Sequence, residues 1–185
     1  MEALFVSIGL VTLAEIGDKT QLLSLLLAAR YRRPAPIIFG ILVATLLNHA
    51  LAAALGSWIT TAIGPQALRW LLGLSFVAMA AWMVVPDRLD GMAGGVERFG
   101  VLGTTLVAFF LAEMGDKTQV ATVALAAKYS AYVAVVTGTT AGMMIANVPA
   151  VLLGERVARR MPVRLIHLVA AAIFAAMGVL ALLGG

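Results

Sequence analysis

Long apolar stretches alternate with short segments rich in arginine, glycine and proline along the chain. Each stretch has about 20 mostly apolar residues, the length that an α-helix needs to cross the hydrocarbon core of a bilayer. The segments between them carry helix breakers at Arg33-Pro34, Gly64-Pro65, Pro86-Asp87, Gly94-Gly95 and Met161-Pro162. The predicted spans are Ala3–Ala29, Pro36–Thr60, Ala67–Val85, Phe99–Ala127, Ala131–Leu153 and Val163–Leu183. We therefore predict an all-α integral membrane protein with six transmembrane helices. The first is kept in the mature chain, because no basic start or cleavage signal precedes it.

Composition supports lipid as the solvent. Of the 185 residues, 62% are hydrophobic and only 12% are charged, whereas soluble domains have about a quarter charged residues. The chain has no cysteine, which excludes disulfides, thiolate nucleophiles, Fe–S clusters and cysteine-ligated zinc sites. Only His49 and His167 supply imidazole, so an imidazole-rich metal site is not expected.

The basic residues are distributed unequally between the two sides of the predicted spans. Nine of the 13 lysines and arginines follow spans 1, 3 and 5, namely Arg30, Arg32, Arg33, Arg88, Arg98, Arg156, Arg159, Arg160 and Arg164. Only Arg69 and Lys128 lie on the other side. Positively charged loops stay in the cytoplasm, so both termini are predicted to lie outside a multi-pass protein of the inner (plasma) membrane. The net charge of +4 is therefore explained by topology, and no nucleic-acid partner is expected.

Spans 1 and 4 contain two copies of one polar motif. Residues 15–21 read EIGDKTQ and residues 113–119 read EMGDKTQ, so six of seven positions are identical at a separation of 98. The same separation pairs Tyr31 with Tyr129 and Gly40 with Gly138. We predict a single membrane domain of two three-helix repeats, 1–90 and 96–185. Three is an odd number of crossings, so the second repeat is inverted, as in many secondary transporters.

The motif places charge near the middle of each span, where an ionised group costs at least about 2.5 kcal/mol. On a continuous helix, at about 100° per residue, Asp18 and Lys19 lie within about 60° of Glu15, and the second motif repeats this face. If both faces meet, four carboxylates and two ammonium groups converge. The predicted metal-binding and proton-coupling residues are Glu15, Asp18, Glu113 and Asp116. Lys19 and Lys117 are predicted counter-charges, each one helical turn from the glutamate of its own span.

Carboxylate oxygens are hard ligands that suit Ca²⁺, Mn²⁺ or Mg²⁺. Crowded carboxylates in a medium of low dielectric also take up protons, so a metal ion and H⁺ compete for the same oxygens. That competition is the minimum requirement of an exchanger. The alternative is that the motifs form buried ion pairs which only fasten the bundle.

Neighbouring residues allow two interpretations each. Gly17 and Gly115 either weaken the helix or allow tight packing. Asn48 and Asn147 either offer a neutral oxygen to the ion or form helix–helix hydrogen bonds. Thr20 and Thr118 are expected to bond to their own helix backbone. His49 is either a proton relay or a hydrogen-bonded interior histidine. No role is expected for His167, and Gly138 and Gly142 are predicted to form a packing face.

The paired E-x-G-D-K-[TS] motifs resemble those of the Golgi-type calcium/manganese–proton exchanger family. That family also has chloroplast members and bacterial manganese exporters of the MneA type. The resemblance implies a cation/H⁺ antiporter that uses Glu15, Asp18, Glu113 and Asp116 to bind the metal. It also implies that Thr20, Thr118, Gln21 and Gln119 line the site, and that a bacterial member exports Mn²⁺ from the cytoplasm. The central segment, Asp87 to Arg98, is short.

The expected function is thus secondary active transport by alternating access, not enzymatic catalysis. The transported ions are Mn²⁺ or Ca²⁺ and H⁺, with no permanently bound cofactor. The expected partners are the metal ion, protons and the lipid bilayer, with a homo-oligomer left open. A passive divalent-cation channel and an amino-acid exporter with a similar number of spans are the alternatives. An intramembrane aspartyl protease fits poorly, because Lys19 and Lys117 would disrupt two aspartates that share a proton.

Overall fold

The computed structural model describes residues 1–85, 100–153 and 162–184, and all regular structure in these ranges is helical. The helices are α1 (Glu2–Glu15), α2 (Lys19–Tyr31), α3 (Pro34–Ala62), α4 (Pro65–Met83), α5 (Gly100–Glu113), α6 (Lys117–Tyr129), α7 (Tyr132–Leu153) and α8 (Val163–Leu183). Four of these, α3, α4, α7 and α8, are long and apolar enough to cross a membrane. The predicted all-helical membrane fold is confirmed to this extent. The predicted breakers at residues 86–87, 94–95 and 161 lie outside the described residues. So do five arginines that are predicted to be cytoplasmic, Arg88, Arg98, Arg156, Arg159 and Arg160.

The prediction that spans 1 and 4 are continuous helices is wrong. Span 1 is interrupted between α1 and α2, and span 4 between α5 and α6, in both cases inside the polar motif. Gly17 has φ +84° and Gly115 has φ +75°, a left-handed conformation that glycine adopts without steric penalty. The helix-weakening interpretation is correct for both glycines, and the tight-packing interpretation also holds for Gly17, which lies against Val163. The angular estimate that put Glu15, Asp18 and Lys19 on one helix face therefore does not apply.

Replacing Gly17 with alanine is expected to destabilise the fold more than the same change at Gly115. A left-handed backbone costs a non-glycine residue about 1–2 kcal/mol at either position. At Gly17 the new Cβ would also lie 2.2 Å from Val163 Cγ1, whereas at Gly115 it would meet nothing within 4 Å. Thermal unfolding of the purified variants measures the difference. Gly9→Ala is the control, because Gly9 lies inside α1 with open space around it. Equal loss at Gly17 and Gly115 would contradict the contact with Val163.

Close helix packing surrounds the interruptions. Helix α1 packs on α7, helix α3 packs on α5, α6 and α7, and α4 pairs with α8. A Cβ on Gly138 would lie 2.7 Å from the Leu4 carbonyl oxygen, and one on Gly142 would lie 2.8 Å from the Ile8 carbonyl oxygen. The predicted packing face of these two glycines is therefore confirmed, and it brings α7 against α1.

The apolar core consists of two clusters on either side of the first interruption. One cluster includes Leu10 and Ala14 of α1 together with the stacked rings of Phe76 and Phe174, whose centroids are 6.2 Å apart. The other includes Leu23 and Leu27 of α2. The polar residues between α1 and α2 thus lie where one apolar cluster ends and the other begins.

Candidate metal site

Three carboxylates from the two motifs meet in the interior. Glu15 and Glu113 are 0% exposed and Asp116 is 1% exposed. One oxygen of each lies within 4.8 Å of one oxygen of the other two. Within the described ranges, Glu15 Oε2 and Glu113 Oε1 are buried without a hydrogen-bond partner. Asp18, the fourth predicted ligand, is also buried but does not belong to this group of three.

The lysines form ion pairs between the motifs. Lys19 Nζ lies 2.7 Å from Asp116 Oδ1, and Lys117 Nζ lies 3.4 Å from Asp18 Oδ1. Each lysine thus pairs with the aspartate of the other motif, whereas the sequence predicted that it lies one helical turn from the glutamate of its own span. The partner is different because the interruption removes the helical register on which that prediction was based. The side chain of Lys19 is 19% exposed, whereas Lys117 is fully buried.

The side-chain oxygens of Gln21 and Gln119 form hydrogen bonds with backbone amides at the interruptions. Gln21 Oε1 accepts a hydrogen bond from the Gly17 amide at 2.9 Å, and Gln119 Oε1 accepts one from the Gly115 amide at 2.7 Å. The Gln21 amide donates to the Ala146 carbonyl at 3.0 Å. Because helix ends leave amides without helical partners, these side chains stabilise both interruptions in the same way.

The two repeats differ in the residue that lies beside the glutamate of the motif. Asn147 Nδ2 donates to Glu15 Oε1 at 3.3 Å, and Asn147 Oδ1 accepts from the Ser24 hydroxyl at 2.7 Å. At the corresponding place, 98 residues earlier, His49 Nε2 lies 3.8 Å from Glu113 Oε2. The role of Ser24 was not predicted from the sequence, although Ser24 is a polar residue in an otherwise apolar part of span 1.

The remaining predicted lining residues differ in their contacts. Thr118 Oγ1 donates to Glu113 Oε2 at 3.0 Å, so the expected bond to its own helix backbone is replaced by one to a carboxylate. Thr20 Oγ1 is buried and has no hydrogen-bond partner in the part of the chain that is described. Asn48 bridges helices, since its Nδ2 donates to the Phe110 carbonyl at 3.0 Å and its Oδ1 accepts from Gln119 Nε2 at 3.3 Å.

His167 contacts the first interruption, which the sequence did not predict. Its Nε2 lies 2.7 Å from the carbonyl oxygen of Ile16, the residue that caps α1. A cavity of about 610 Å³ lies beside this contact and is lined by Gly17, Met83, Val84, Val163, Arg164, His167 and Leu168. The available signal was an isolated imidazole in an otherwise apolar span, which gives no indication of its partner.

This arrangement can bind a cation. Buried carboxylate oxygens without hydrogen-bond donors are energetically unfavourable unless a proton or metal ion compensates them. The donors are oxygens from three acidic side chains, which is a set that hard divalent cations prefer.

Comparison with known proteins identifies the family. The family described as "Divalent cation/proton antiporter GDT1" matches residues 3–91 and 101–185. The chain belongs to the GDT1 family. Membership of GDT1 confirms the resemblance inferred from the motifs, and it makes the chain a membrane transporter of divalent cations.

Relatives of the chain carry GDT1 or manganese-exporter names. A protein of Vibrio cholerae serotype O1 named "Putative manganese exporter" is 52% identical over 175 residues, which cover 94% of this chain and 87% of the relative. A GDT1-like protein of Synechocystis is 29% identical and covers 89% of both chains. GDT1-like protein 3 of Arabidopsis thaliana is 27% identical over 94% of this chain and 68% of the relative. No solved structure matches the chain.

Proposed function

We propose that the chain exports Mn²⁺ from the cytoplasm in exchange for protons by alternating access, with Ca²⁺ as a second candidate ion. The observation that carries this proposal is the group of Glu15, Glu113 and Asp116, buried and within 4.8 Å of one another. The family supplies the class of transport, and the Vibrio relative's name favours manganese.

Charge balance supports a divalent ion. The four motif carboxylates and two motif lysines have a formal charge of −2 when all are ionised. In this proposal Glu15, Asp18, Glu113 and Asp116 bind metal and protons alternately, and Lys19 and Lys117 hold the aspartates in place. Thr20 and Thr118 would line the site. Gln21, Gln119, Asn48 and Asn147 would support it through the hydrogen bonds described above.

We further propose that the chain crosses the membrane six times as two inverted repeats, 1–90 and 96–185. The crossed ion pairs and the matching glutamine caps support this, since each contact recurs 98 residues along. The positive-inside rule places both termini outside the plasma membrane. The 610 Å³ cavity lies at the end of α4 and the start of α8, and we assign it as the cytoplasmic entrance. A homo-oligomer stays a prediction from the sequence.

The test is transport by the purified full chain in proteoliposomes with an imposed pH gradient. An exchanger is expected to accumulate Mn²⁺ against its own concentration gradient, with proton movement in the opposite direction reported by a pH-sensitive dye. A passive channel would only dissipate a Mn²⁺ gradient and would not respond to pH. Amino acids that compete for the flux would instead indicate the exporter of that class. Parallel assays with Ca²⁺ and Mg²⁺ establish which ion is carried.

A further inference from the structure

His49 is a buried side chain that lies at ion-pair distance from Glu113 but makes no hydrogen bond within the described ranges. It is 0% exposed, and neither Nδ1 nor Nε2 has a hydrogen-bond partner among the described residues. Buried polar groups are almost always hydrogen-bonded, so an imidazole with two unused nitrogens requires an explanation.

The position of the ring suggests that explanation. His49 Nε2 lies 3.8 Å from Glu113 Oε2, which is longer than a hydrogen bond. Two atoms that bind one metal ion, each at about 2.1–2.3 Å, lie roughly 3–4.5 Å apart. The separation of these two atoms therefore fits an ion held between them. Glu113 also belongs to the group of three carboxylates, so His49 borders the proposed metal site, while its own nitrogens lie outside the set of atoms within 4.8 Å of one another.

The two halves differ at this position. Asn147, which corresponds to His49 at the separation of 98, donates a hydrogen bond to Glu15 and has its oxygen occupied by Ser24. The glutamate of the first motif is thus held by a hydrogen-bond donor, whereas the glutamate of the second motif faces a potential nitrogen ligand. Each motif has a glutamate and an aspartate, but of the two corresponding positions 49 and 147 only position 49 carries an imidazole.

We propose that His49 Nε2 is an additional metal ligand, and that it makes the site prefer divalent transition-metal ions such as Mn²⁺ to the alkaline-earth ions. The inference rests on the proposed function, and it names the class of ion that this site selects. Ca²⁺ and Mg²⁺ take oxygen ligands almost exclusively, whereas first-row transition metals also bind imidazole nitrogen. One nitrogen among carboxylate oxygens therefore favours Mn²⁺ without excluding the other ions.

Electron spin-echo measurements on the Mn²⁺-loaded full chain test the ligand directly. Nitrogen coupling to Mn²⁺ is expected in the wild type, and it should change to the ¹⁵N pattern when histidine is labelled with ¹⁵N. The chain has only two histidines, so assignment is simple. His49→Asn, which copies the residue at position 147, should lose the coupling, and the matched variant His167→Asn should keep it. The labelled wild type requires no substitution, so the test remains valid if a variant does not fold.

Selectivity provides a second readout. His49→Asn is expected to lower the ratio of Mn²⁺ to Ca²⁺ affinity about tenfold, mainly through weaker Mn²⁺ binding. Mn²⁺ that binds without nitrogen coupling, or a coupling that persists in His49→Asn, would overturn the inference and leave the proposed transport intact. If no Mn²⁺ binds to the wild type, the proposed function fails as well, so the two failures are distinguishable.

Discussion

Replacing Glu15 with glutamine is expected to abolish Mn²⁺ exchange, with the folded protein still present in the membrane. The substitution keeps the shape of a side chain that is fully buried and removes the charge that we propose to bind the ion. A neutral amide cannot compensate a divalent cation, nor can it exchange a proton at this position. Asp116→Asn should have the same effect, because Asp116 belongs to the same group of carboxylates. Proton-driven Mn²⁺ uptake by proteoliposomes measures the loss.

The matched control is Glu2→Gln. Glu2 is an exposed glutamate at the start of α1, and its Oε1 accepts a hydrogen bond from the Tyr129 hydroxyl at 3.2 Å, away from the interruptions. This variant should transport at the wild-type rate. Elution as a single species in detergent would show that each variant is folded. Wild-type flux in Glu15→Gln or Asp116→Asn would refute the assignment of these carboxylates to the metal.

Replacing Lys117 with methionine is expected to destabilise the protein by about 3–5 kcal/mol, the typical effect of removing one partner of a buried ion pair. Lys117 and Asp18 are both buried, so the substitution leaves a buried carboxylate without the ammonium group that lies 3.4 Å away. Adding Asp18→Asn to the same chain should recover most of the loss, because the carboxylate that lost this ammonium group is then replaced by a neutral amide. Unfolding in detergent, followed for the single variants and the double variant, measures the coupling between the two residues.

Two other lysines serve as controls for this experiment. Lys19→Met should have a smaller effect on stability, because the side chain of Lys19 is 19% exposed and water can enter the space that its ammonium leaves beside the buried Asp116. Lys128→Met should have almost none, because Lys128 lies at the end of α6, where its ammonium is 5.7 Å from the Tyr129 ring. Equal destabilisation by all three substitutions would show that the Lys117–Asp18 pair has no special role.

Sequence alone was sufficient for the features that depend on composition and local pattern. The helical membrane fold follows from apolar segments of sufficient length, and the importance of residues 15–21 and 113–119 follows from polar groups repeated in apolar surroundings. The packing face of Gly138 and Gly142 was also predictable, because small residues four apart allow close approach, whereas its partner α1 was not.

The geometry of the site depended on information that a local pattern does not contain. Gly17 and Gly115 were compatible with either a helix or an interruption, and only the surrounding packing decides between them. Once the helices are interrupted, the lysines no longer lie one turn from the glutamates, and the pairing of Lys19 with Asp116 depends on how the two motifs meet. The contact of His167 with Ile16 joins residues 151 positions apart, a relation that periodicity does not reveal.

The two interruptions also give the site an electrostatic polarity. Glu15 and Glu113 are the last residues of α1 and α5, where the helix dipole presents its negative end. Asp18 and Asp116 are the N-cap residues of α2 and α6, next to the positive end of each helix dipole, which stabilises an anion. In each motif the glutamate thus lies at the negative end of one helix dipole, which attracts cations. The aspartate lies at the positive end of the next helix dipole, which stabilises its negative charge. An uninterrupted helix would have no such ends inside the motif, so the four acidic groups would lose the difference between their two environments.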